Sequence, residues 1–196
     1  MARTADPERR REVLDAVVAQ LAETGISSFT LRGLAEALGQ STRVLTHHFA
    51  DKGALLTAVL DRLDERQHDA LRATEGWADP SVAVGSLVRS AWRRHLDPAE
   101  LPMTRLVREI EGLAAAGRLP APAPAFVRGR AGFVAGCLAR RGVPEAEALV
   151  LATLLNAAYS GLQADRLGTG DGARCDAALD GLCDWIDRAV EQAARR

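Results

Sequence analysis

Apolar residues recur at the spacing of an α-helix along almost the whole chain. The first stripe follows Asp6-Pro7, a capping residue before a proline that fits the first helical position, and it ends at Gly25. Its members are Leu14, Val17, Val18 and Leu21. Later segments with the same periodicity, separated by proline or glycine, are 51–71, 82–95, 102–116, 124–141, 145–166 and 172–193. No alternating strand pattern remains, so the sequence predicts an all-α protein.

Two short helices are predicted directly after the first, close enough to form a helix-turn-helix. Thr30 can cap the first of them, whose inward face has apolar residues at i, i+3, i+4 and i+7. These are Leu31, Leu34, Ala35 and Leu38. Gly39 permits the turn, Ser41 caps the next helix, and Val44 and Leu45 face back onto the first. The outward residues are Thr42, Arg43, Thr46 and His47. This spacing predicts a surface that reads double-stranded DNA.

The motifs around these helices resemble the tetracycline-repressor (TetR) family of one-component bacterial regulators, over residues 8–60. The family pattern contains Thr-x-Arg-x-Leu-Ala-x-x-Leu-Gly, a third helix ending in His-Phe, and Lys-x-x-Leu-Leu at the start of a fourth. The matching residues are Thr30, Arg32, Leu34, Ala35, Leu38, Gly39, Leu45, His48, Phe49, Lys52, Leu55 and Leu56. The resemblance implies an N-terminal three-helix DNA-binding domain, residues 1–50, joined to a larger helical domain for ligand binding and dimerisation, residues 51–196.

Base contacts are expected from the two helices of the motif. Arg32 matches a family position that can reach a guanine edge, where a guanidinium can bind O6 and N7 together. Contact with a base, contact with phosphate and plain solvation all remain open for this residue. If the third helix is the recognition helix, Thr42, Arg43 and His47 face the groove, and Arg43 is the strongest candidate.

Phosphate contacts are expected from Thr46, His48 and Lys52, which would give register and affinity rather than sequence information. For His48, a buried hydrogen bond that locks the third helix to the fourth is the alternative. Family members usually carry an aromatic pair where this chain has Thr46 and His47, so operator affinity or preference can differ. The complete set predicted to bind DNA is Thr30, Arg32, Ser41, Thr42, Arg43, Thr46, His47, His48 and Lys52.

Charge alone does not favour DNA as a partner. The chain has 25 basic and 26 acidic residues, and residues 1–56 contain seven of each sign. Four arginines cluster near the N-terminus, at positions Arg3, Arg9, Arg10 and Arg11. We therefore expect the distribution of charge, rather than its sum, to attract the phosphates.

The last two predicted helices indicate a homodimer. Residues 148–162 are apolar almost all round, so this helix must be covered on more than one side. Two such helices from each of two subunits can form a four-helix interface, as the resemblance also implies. The predicted interface residues are Leu151, Leu155, Ala158, Tyr159, Leu162, Leu179, Leu182, Trp185 and Ile186. A core helix of a monomer is the alternative. A protein that binds two DNA half-sites, however, needs two DNA-binding domains related by a twofold axis.

The middle helices are expected, by the resemblance, to enclose a pocket for a small-molecule effector. Candidate lining residues are large or polar residues on predicted inward faces. These are Trp92, Met103, Leu106, Ile110, Phe126, Phe133 and Asn156. The alternative for each is an ordinary core residue. The resemblance further implies that ligand binding rearranges the fourth helix and changes the separation of two recognition helices, which would otherwise sit about 34 Å apart on a near-palindromic operator.

The remaining chemistry argues against an enzyme. The sequence has no Ser-His-Asp constellation, Gly-rich phosphate loop or acid pair in a recognisable context. His47 and His48 point about 100° apart on a helix, and Glu65-x-x-His68 occurs once where di-iron bundles need the motif twice. We therefore expect no metal and no cofactor.

Three cysteines and the lack of a long apolar run suggest a soluble, cytoplasmic protein without a membrane partner. Cys175 and Cys183 would lie about 12 Å apart along one helix, too far to bridge. The leading hypothesis is a homodimeric repressor that a ligand releases from its operator. The alternatives are a DNA-binding regulator without a ligand and a ligand-binding helical module that has lost DNA binding.

Overall fold

A computed structural model of the chain describes residues 7–74, 76–119 and 123–195, without the side chains of residues 123–127. This part of the chain forms α-helices and contains no strand, which confirms the predicted all-α class. The helices are α1 Pro7–Thr24, α2 Leu31–Ala37, α3 Thr42–His48, α4 Lys52–Ala73, α5 Val84–His95, α6 Leu101–Ala115, α7 Ala123–Ala139, α8 Glu145–Thr169 and α9 Gly172–Ala194. Three predictions, for Arg3, the Asp6 cap and the side chain of Phe126, lie outside the described residues.

Side-chain hydrogen bonds cap the start of α2 and of α4. The Thr30 hydroxyl accepts a hydrogen bond from the backbone N–H of Gly33 at 3.0 Å, as its position predicts. Asp51 caps α4 in the same way, accepting from the N–H of Ala54 at 2.8 Å. Ser41 occupies the N-cap position of α3, as predicted, but its hydroxyl makes no capping hydrogen bond.

The chain divides into two compact units, which differ from the predicted domain ranges. The first consists of Met1–Arg66 and Leu101–Phe126, and the second of Gln67–Glu100 and Val127–Arg196. The difference arises because α6 packs against α1, although 76 residues (25 to 100) separate the end of one from the start of the other. The boundary predicted at residue 50 depends on the family resemblance and stays a prediction.

The first unit buries the inward faces of α1, α2, α3 and the first part of α4, together with α6. The apolar stripe predicted for α1 is buried throughout. Its fully buried partners include Leu45, Leu55, Val59, Leu106 and Ile110. Each such side chain contributes on the order of 1.5–3 kcal/mol by leaving water. The short helices α2 and α3 are therefore held by a core to which α6 belongs.

The second unit is built on α9, against which α5 and α8 pack. Small residues at the contact allow a close approach: the backbone N–H of Gly85 donates to Asp187 Oδ1 at 2.8 Å. All three cysteines, Cys137, Cys175 and Cys183, are free and buried in this core. The guanidinium of Arg141 donates to the carbonyls of Gly76, Trp77, Asp79, Val82 and Cys137. It thereby fixes the loop that precedes α5.

Candidate nucleic-acid interface

The turn between α2 and α3 is closed by backbone hydrogen bonds around a left-handed glycine. Gly39 has φ +62°, a conformation that favours glycine over other residues. Its N–H donates to Glu36 O at 3.0 Å, and the N–H of Gln40 donates to Ala35 O at 2.8 Å. Because Leu45 of α3 is buried against α2 and the rest of this core, the opposite face of α3 points to solvent.

That outward face carries the residues predicted for base reading. Thr42, Arg43, Thr46 and His47 are all exposed. The Thr46 hydroxyl donates back to Thr42 O at 3.1 Å, so in this rotamer it cannot also donate to a phosphate. Arg43 combines a long side chain with a permanent charge and a forked donor, which suits a guanine edge. The outward orientation agrees with the prediction, and DNA contact by these residues stays a prediction.

Arg32 lies on α2 with its side chain 84% exposed and its Nε 3.0 Å from Glu36 Oε1. A pair four residues apart on an exposed helix is worth roughly 0.3–0.5 kcal/mol. Glu36 therefore competes only weakly with a phosphate or a base for this guanidinium. Contact with either remains open, as the sequence left it.

His48 lies at the end of α3 and is half-buried. Burial is the main cause that lowers the pKa of its imidazole, and the positive charges of His47, Arg10 and Arg9 lower that pKa further. Its Nδ1 is buried and has no hydrogen-bond partner in the described part of the chain. The alternative in which a hydrogen bond from His48 Nδ1 locks α3 to α4 is therefore not supported by the described part of the chain. A neutral imidazole also offers a phosphate a hydrogen bond but no charge.

Lys52 has a structural role besides the predicted phosphate contact. Its Nζ donates to Phe29 O at 2.7 Å and lies 4.4 Å from the centroid of the Phe29 ring. The side chain thus ties the start of α4 to the loop between α1 and α2. An ammonium has three donors, so two remain for a phosphate. Ser41 and Thr30, which belong to the same predicted set, are exposed.

Arg10 was missing from the predicted DNA-binding set. Its guanidinium carbon lies 5.0 Å from the centroid of the Phe49 ring, the residue that ends α3. Together with Arg9 it lowers the pKa of His48, so α1 brings positive charge beside the end of α3. The arginine cluster was visible in the sequence, but its position beside α3 depends on how α1 packs.

The residues predicted to line an effector pocket fall in different cores. Leu106 and Ile110 are buried in the first unit, and Met103 packs against the same core. Trp92 and Phe133 belong to the second unit. Asn156 also lies there, on α8, and its Nδ2 is buried without a hydrogen-bond partner in the described chain. The set as a whole stays a prediction.

The sequence did not point to a polar cluster within the second unit. The hydroxyl of Tyr159 lies 2.8 Å from His95 Nδ1, and Gln163 Nε2 lies 3.3 Å from the same nitrogen. Gln163 is 2% exposed and Tyr159 8%. On α7, Arg130 donates to Ser160 of α8 at 3.3 Å. Buried hydrogen-bonding groups of this kind can orient a polar ligand.

The residues predicted for a dimer interface are mostly covered within the second unit. Leu151, Leu155, Tyr159, Leu179 and Ile186 are buried there, Leu162, Leu182 and Trp185 are half-buried, and Ala158 is exposed. The exposed face of α8 is instead Ala146, Leu149, Val150, Thr153, Leu154, Ala157, Ala158 and Gly161. The periodicity showed an all-round apolar helix, but it could not show which side its own subunit covers. The interface itself stays a prediction.

Within the residues that the structure describes, no group of three or more His, Cys, Asp or Glu side chains could hold a metal ion. None of the helices there is both long enough and apolar enough to cross a membrane.

Comparison with known sequences finds similarity to bacterial transcriptional regulators in the region of α1 to α4. The model of the family described as bacterial regulatory proteins, tetR family, matches residues 13–59. The HTH-type transcriptional regulator BetI of Cronobacter sakazakii is 33% identical over 67 residues, which are 34% of this chain and 33% of that protein. The HTH-type transcriptional repressor Rv1474c of Mycobacterium tuberculosis is 41% identical over 68 residues, 35% of this chain and 36% of that protein. The matches thus span about a third of the length of these relatives.

Comparison with solved structures extends the similarity to nearly the whole chain. A transcriptional regulator from Rhodococcus sp. has a TM-score of 0.72 at 22% identity, covering 94% of this chain and 97% of that one. A TetR-family member from Streptomyces coelicolor A3 has a TM-score of 0.71 at 24% identity, covering 92% and 99%. The multidrug binding protein EbrR complexed with malachite green has a TM-score of 0.66 at 25% identity, covering 90% and 96%.

Proposed function

We propose that this chain is a member of the tetR family of bacterial regulatory proteins and a sequence-specific, DNA-binding transcriptional regulator, because the family's model matches residues 13–59 and a TetR-family structure shares its fold. Members of this family are transcription factors and not enzymes. The observation that carries the proposal is the exposed face of α3, which presents Thr42, Arg43, Thr46 and His47 on a helix whose other side is buried. The protein acts in the cytoplasm, where bacterial DNA lies.

In this proposal α3 enters the major groove of the operator. A helix of seven residues is about 10 Å long, and the groove is about 12 Å wide. Arg43 reads a guanine edge from α3, while Arg32 reaches a base or a phosphate from the start of α2. The positive charges of Lys52 and Arg10 favour the flanking phosphates, which adds affinity without sequence information.

The regulator acts as a homodimer on a near-palindromic operator, with half-sites about 34 Å apart. The support is the exposed face of α8, where Leu149 is 52%, Val150 57% and Leu154 51% exposed. From Ala146 to Gly161 the exposed positions of α8 carry no charged side chain, which is unusual for a surface left in water. A second copy of α8, related by a twofold axis, presents the same face and covers it.

A small-molecule effector releases the repressor from its operator. The support is the polar cluster of His95, Tyr159 and Gln163 in the second unit, together with Asn156 on α8, whose Nδ2 has no hydrogen-bond partner among the residues that the structure describes. The structural neighbour EbrR is a multidrug binding protein that has been crystallised with malachite green, imidazole and ethidium. A ligand needs to favour the released conformation by only about 1–3 kcal/mol to act as a switch.

Fluorescence anisotropy tests the DNA-binding proposal. Purified full-length protein is titrated into labelled DNA from the regions flanking its own gene, with scrambled competitor and at several salt concentrations. We expect competitor-resistant binding whose salt dependence counts the phosphates neutralised. Equal binding to scrambled DNA at every salt concentration would instead favour the alternative of a helical ligand-binding module without DNA recognition.

Thermal unfolding of the free protein tests the effector proposal. The first probes are imidazole and malachite green, with unfolding followed by far-UV circular dichroism so that dye fluorescence does not interfere. A ligand that binds only the folded protein raises its stability by RT ln(1 + [L]/Kd). A stabilising compound is then added to the protein–DNA complex, where we expect the anisotropy to fall. A metabolite panel that produces no shift supports a regulator without a ligand.

A further inference from the structure

One carboxylate on α6 holds the loop between α1 and α2. Glu109 Oε2 accepts a hydrogen bond from the backbone N–H of Ile26 at 2.9 Å, and Oε1 accepts from the N–H of Ser27 at 2.8 Å. The Ser27 hydroxyl also donates to Oε1. Three donors from two consecutive residues thus converge on a side chain more than 80 positions later in the sequence.

The backbone at this point is shaped to admit the carboxylate. Gly25 has φ +83°, and a Cβ added to it would lie 3.0 Å from Glu109 Oε2. Its N–H closes the last turn of α1 onto Leu21 O at 2.8 Å. The C-terminal end of a helix is its negative end, which disfavours a nearby anion. The hydrogen bonds from Ile26 and Ser27, rather than the helix dipole, therefore hold Glu109 in place.

Glu109 is ionised in this position at neutral pH. Burial raises its pKa, but the hydrogen bonds from Ser27 and Ile26 outweigh burial and keep the pKa below its ordinary value. Hydrogen bonds to a charged acceptor are roughly twice as strong as those between neutral groups. The charged carboxylate therefore makes a stiff connection between α6 and the loop.

The same loop sets where the two reading helices lie. Residues 25–30 are the direct link from α1 to α2. Ile26 is 3% and Phe29 8% exposed, so the loop is packed into the first core. Lys52 holds its far end through Phe29 O, and Thr30 caps α2. Glu109 fixes the end of the loop nearest α1 through its hydrogen bonds with Ile26 and Ser27.

We propose that Glu109 is a positioning residue for DNA recognition: by fixing Ile26 and Ser27 it sets the orientation in which α2 and α3 meet the operator. This inference rests on the proposed function as a DNA-binding regulator. It assigns α6 a direct part in presenting the reading helices, through the α1–α2 loop. Small displacements of α6 then change operator affinity without any change in the residues that touch DNA.

Electrostatics and positioning predict opposite effects of removing this charge. Replacing Glu109 by Gln removes one negative charge from a unit that binds a polyanion, so charge alone predicts tighter binding to any DNA. Glutamine also places an NH2 group opposite one of the backbone N–H donors, so one of the two hydrogen bonds to Ile26 and Ser27 is lost. Positioning therefore predicts weaker binding to the operator and little loss on scrambled DNA, because misplaced base contacts carry the specificity.

The experiment compares four full-length variants with the wild type: Glu109→Gln, Ser27→Ala, the double variant, and Asp61→Asn as a control. Asp61 is an exposed carboxylate of α4, so its replacement changes the charge alone. Operator and scrambled-DNA affinities are measured by anisotropy, and folding by thermal unfolding. Amide hydrogen exchange of Ile26 and Ser27 is measured in the free protein.

We expect Glu109→Gln to weaken operator binding roughly tenfold, with a smaller loss for Ser27→Ala and no further loss in the double variant, because the two residues share one interaction. Amide exchange of Ile26 and Ser27 should accelerate in Glu109→Gln. Asp61→Asn should bind both DNAs as well as or better than the wild type.

The inference is overturned if Glu109→Gln folds normally and binds the operator as tightly as Asp61→Asn does. It is also overturned if Glu109→Gln weakens operator and scrambled DNA by the same factor. If Glu109→Gln does not fold, Ser27→Ala decides, since it keeps both backbone hydrogen bonds and removes only the hydroxyl donor; faster amide exchange of Ile26 and Ser27 with an unchanged operator affinity then rejects the proposal. A wild-type protein that does not distinguish operator from scrambled DNA would instead contradict the proposed function, while the exchange measurement still reports on the Glu109 contact.

Discussion

Arg62 of α4 and Asp15 of α1 form a two-pronged ion pair. Nε lies 2.7 Å from Asp15 Oδ1 and Nη2 lies 3.0 Å from Oδ2. The Arg62 side chain is 12% exposed and that of Asp15 40%. Arg62 also donates to Glu65 at 3.1 Å. The pair ties the middle of α4 to α1, the same helix that carries Arg10 toward the end of α3.

Replacing Asp15 by Asn should destabilise the protein. The variant loses the negative charge and one of the two acceptor oxygens of the pair, which leaves a largely buried guanidinium with Glu65 as its one carboxylate partner. Because Asp15 is itself partly exposed and screened by water, we expect a loss of about 1 kcal/mol in the free energy of unfolding. Urea unfolding at neutral pH measures it, with Asp61→Asn as the control. Equal midpoints for Asp15→Asn and the wild type would show that the pair adds nothing.

The same pair should make stability depend on pH. Hydrogen bonds from Arg62 lower the pKa of Asp15, more than its partial burial raises it. The stabilisation is therefore complete above the unfolded pKa of roughly 3.9 and is lost as the pH falls through the lower, folded-state pKa. The difference in unfolding free energy between wild type and Asp15→Asn should shrink as the pH is lowered from 5 toward 2. A difference that stays constant over this range would contradict the assignment.

Arg43→Ala should weaken the operator complex selectively. Loss of a forked contact to guanine costs about 1–3 kcal/mol at one base pair, and it relaxes preference there. Binding to scrambled DNA should fall far less. Arg188→Ala on α9 removes the same charge from another exposed helix position and serves as the control. If Arg43→Ala lowers operator and scrambled affinities by one common factor, Arg43 binds phosphate rather than a base.

Leu154→Glu should convert the proposed dimer to a monomer. The side chain is 51% exposed, so a charge there costs the isolated subunit little, but it would be buried without a partner between two copies of α8. Light scattering after size-exclusion chromatography measures the mass. Ala70→Glu adds the same charge to an exposed position of α4 and should leave the mass unchanged. A wild-type protein that elutes as a monomer at all concentrations would reject the dimer outright.

Gly85→Ala should destabilise the second unit. Its Cβ would lie 2.5 Å from Asp187 Oδ2 and 2.9 Å from Cys183 O, so α5 and α9 would have to separate. We expect a loss of roughly 1–3 kcal/mol. At Gly112, which has nothing within 4 Å of its Cβ position, alanine should raise stability by up to about 1 kcal/mol through helix propensity. Thermal unfolding compares the two, and a Gly85→Ala protein as stable as the wild type would show that the contact can relax.

Local rules explain which parts of the fold could be predicted. The Thr30 and Asp51 caps, the glycine turn at Gly39 and the buried stripe of α1 each depend on residues within a few positions of one another. Such signals can be recognised from the sequence alone, and the helices that they predicted have bounds close to those observed. The outward face of α3 followed from the same periodicity, because burial of Leu45 decides which residues face away.

The sequence by itself thus determined the helices, their caps, the helix-turn-helix and its likeness to one family. Only the tertiary structure decided which side of α8 stays exposed, that Glu109 holds Ile26 and Ser27, and that Arg10 lies beside the end of α3. The physical reason is the range of the interactions. Capping and periodicity act within a turn or two of helix, whereas these contacts join positions 39 (10 to 49) and 83 residues apart. Such pairs form only where packing brings distant segments of the chain together.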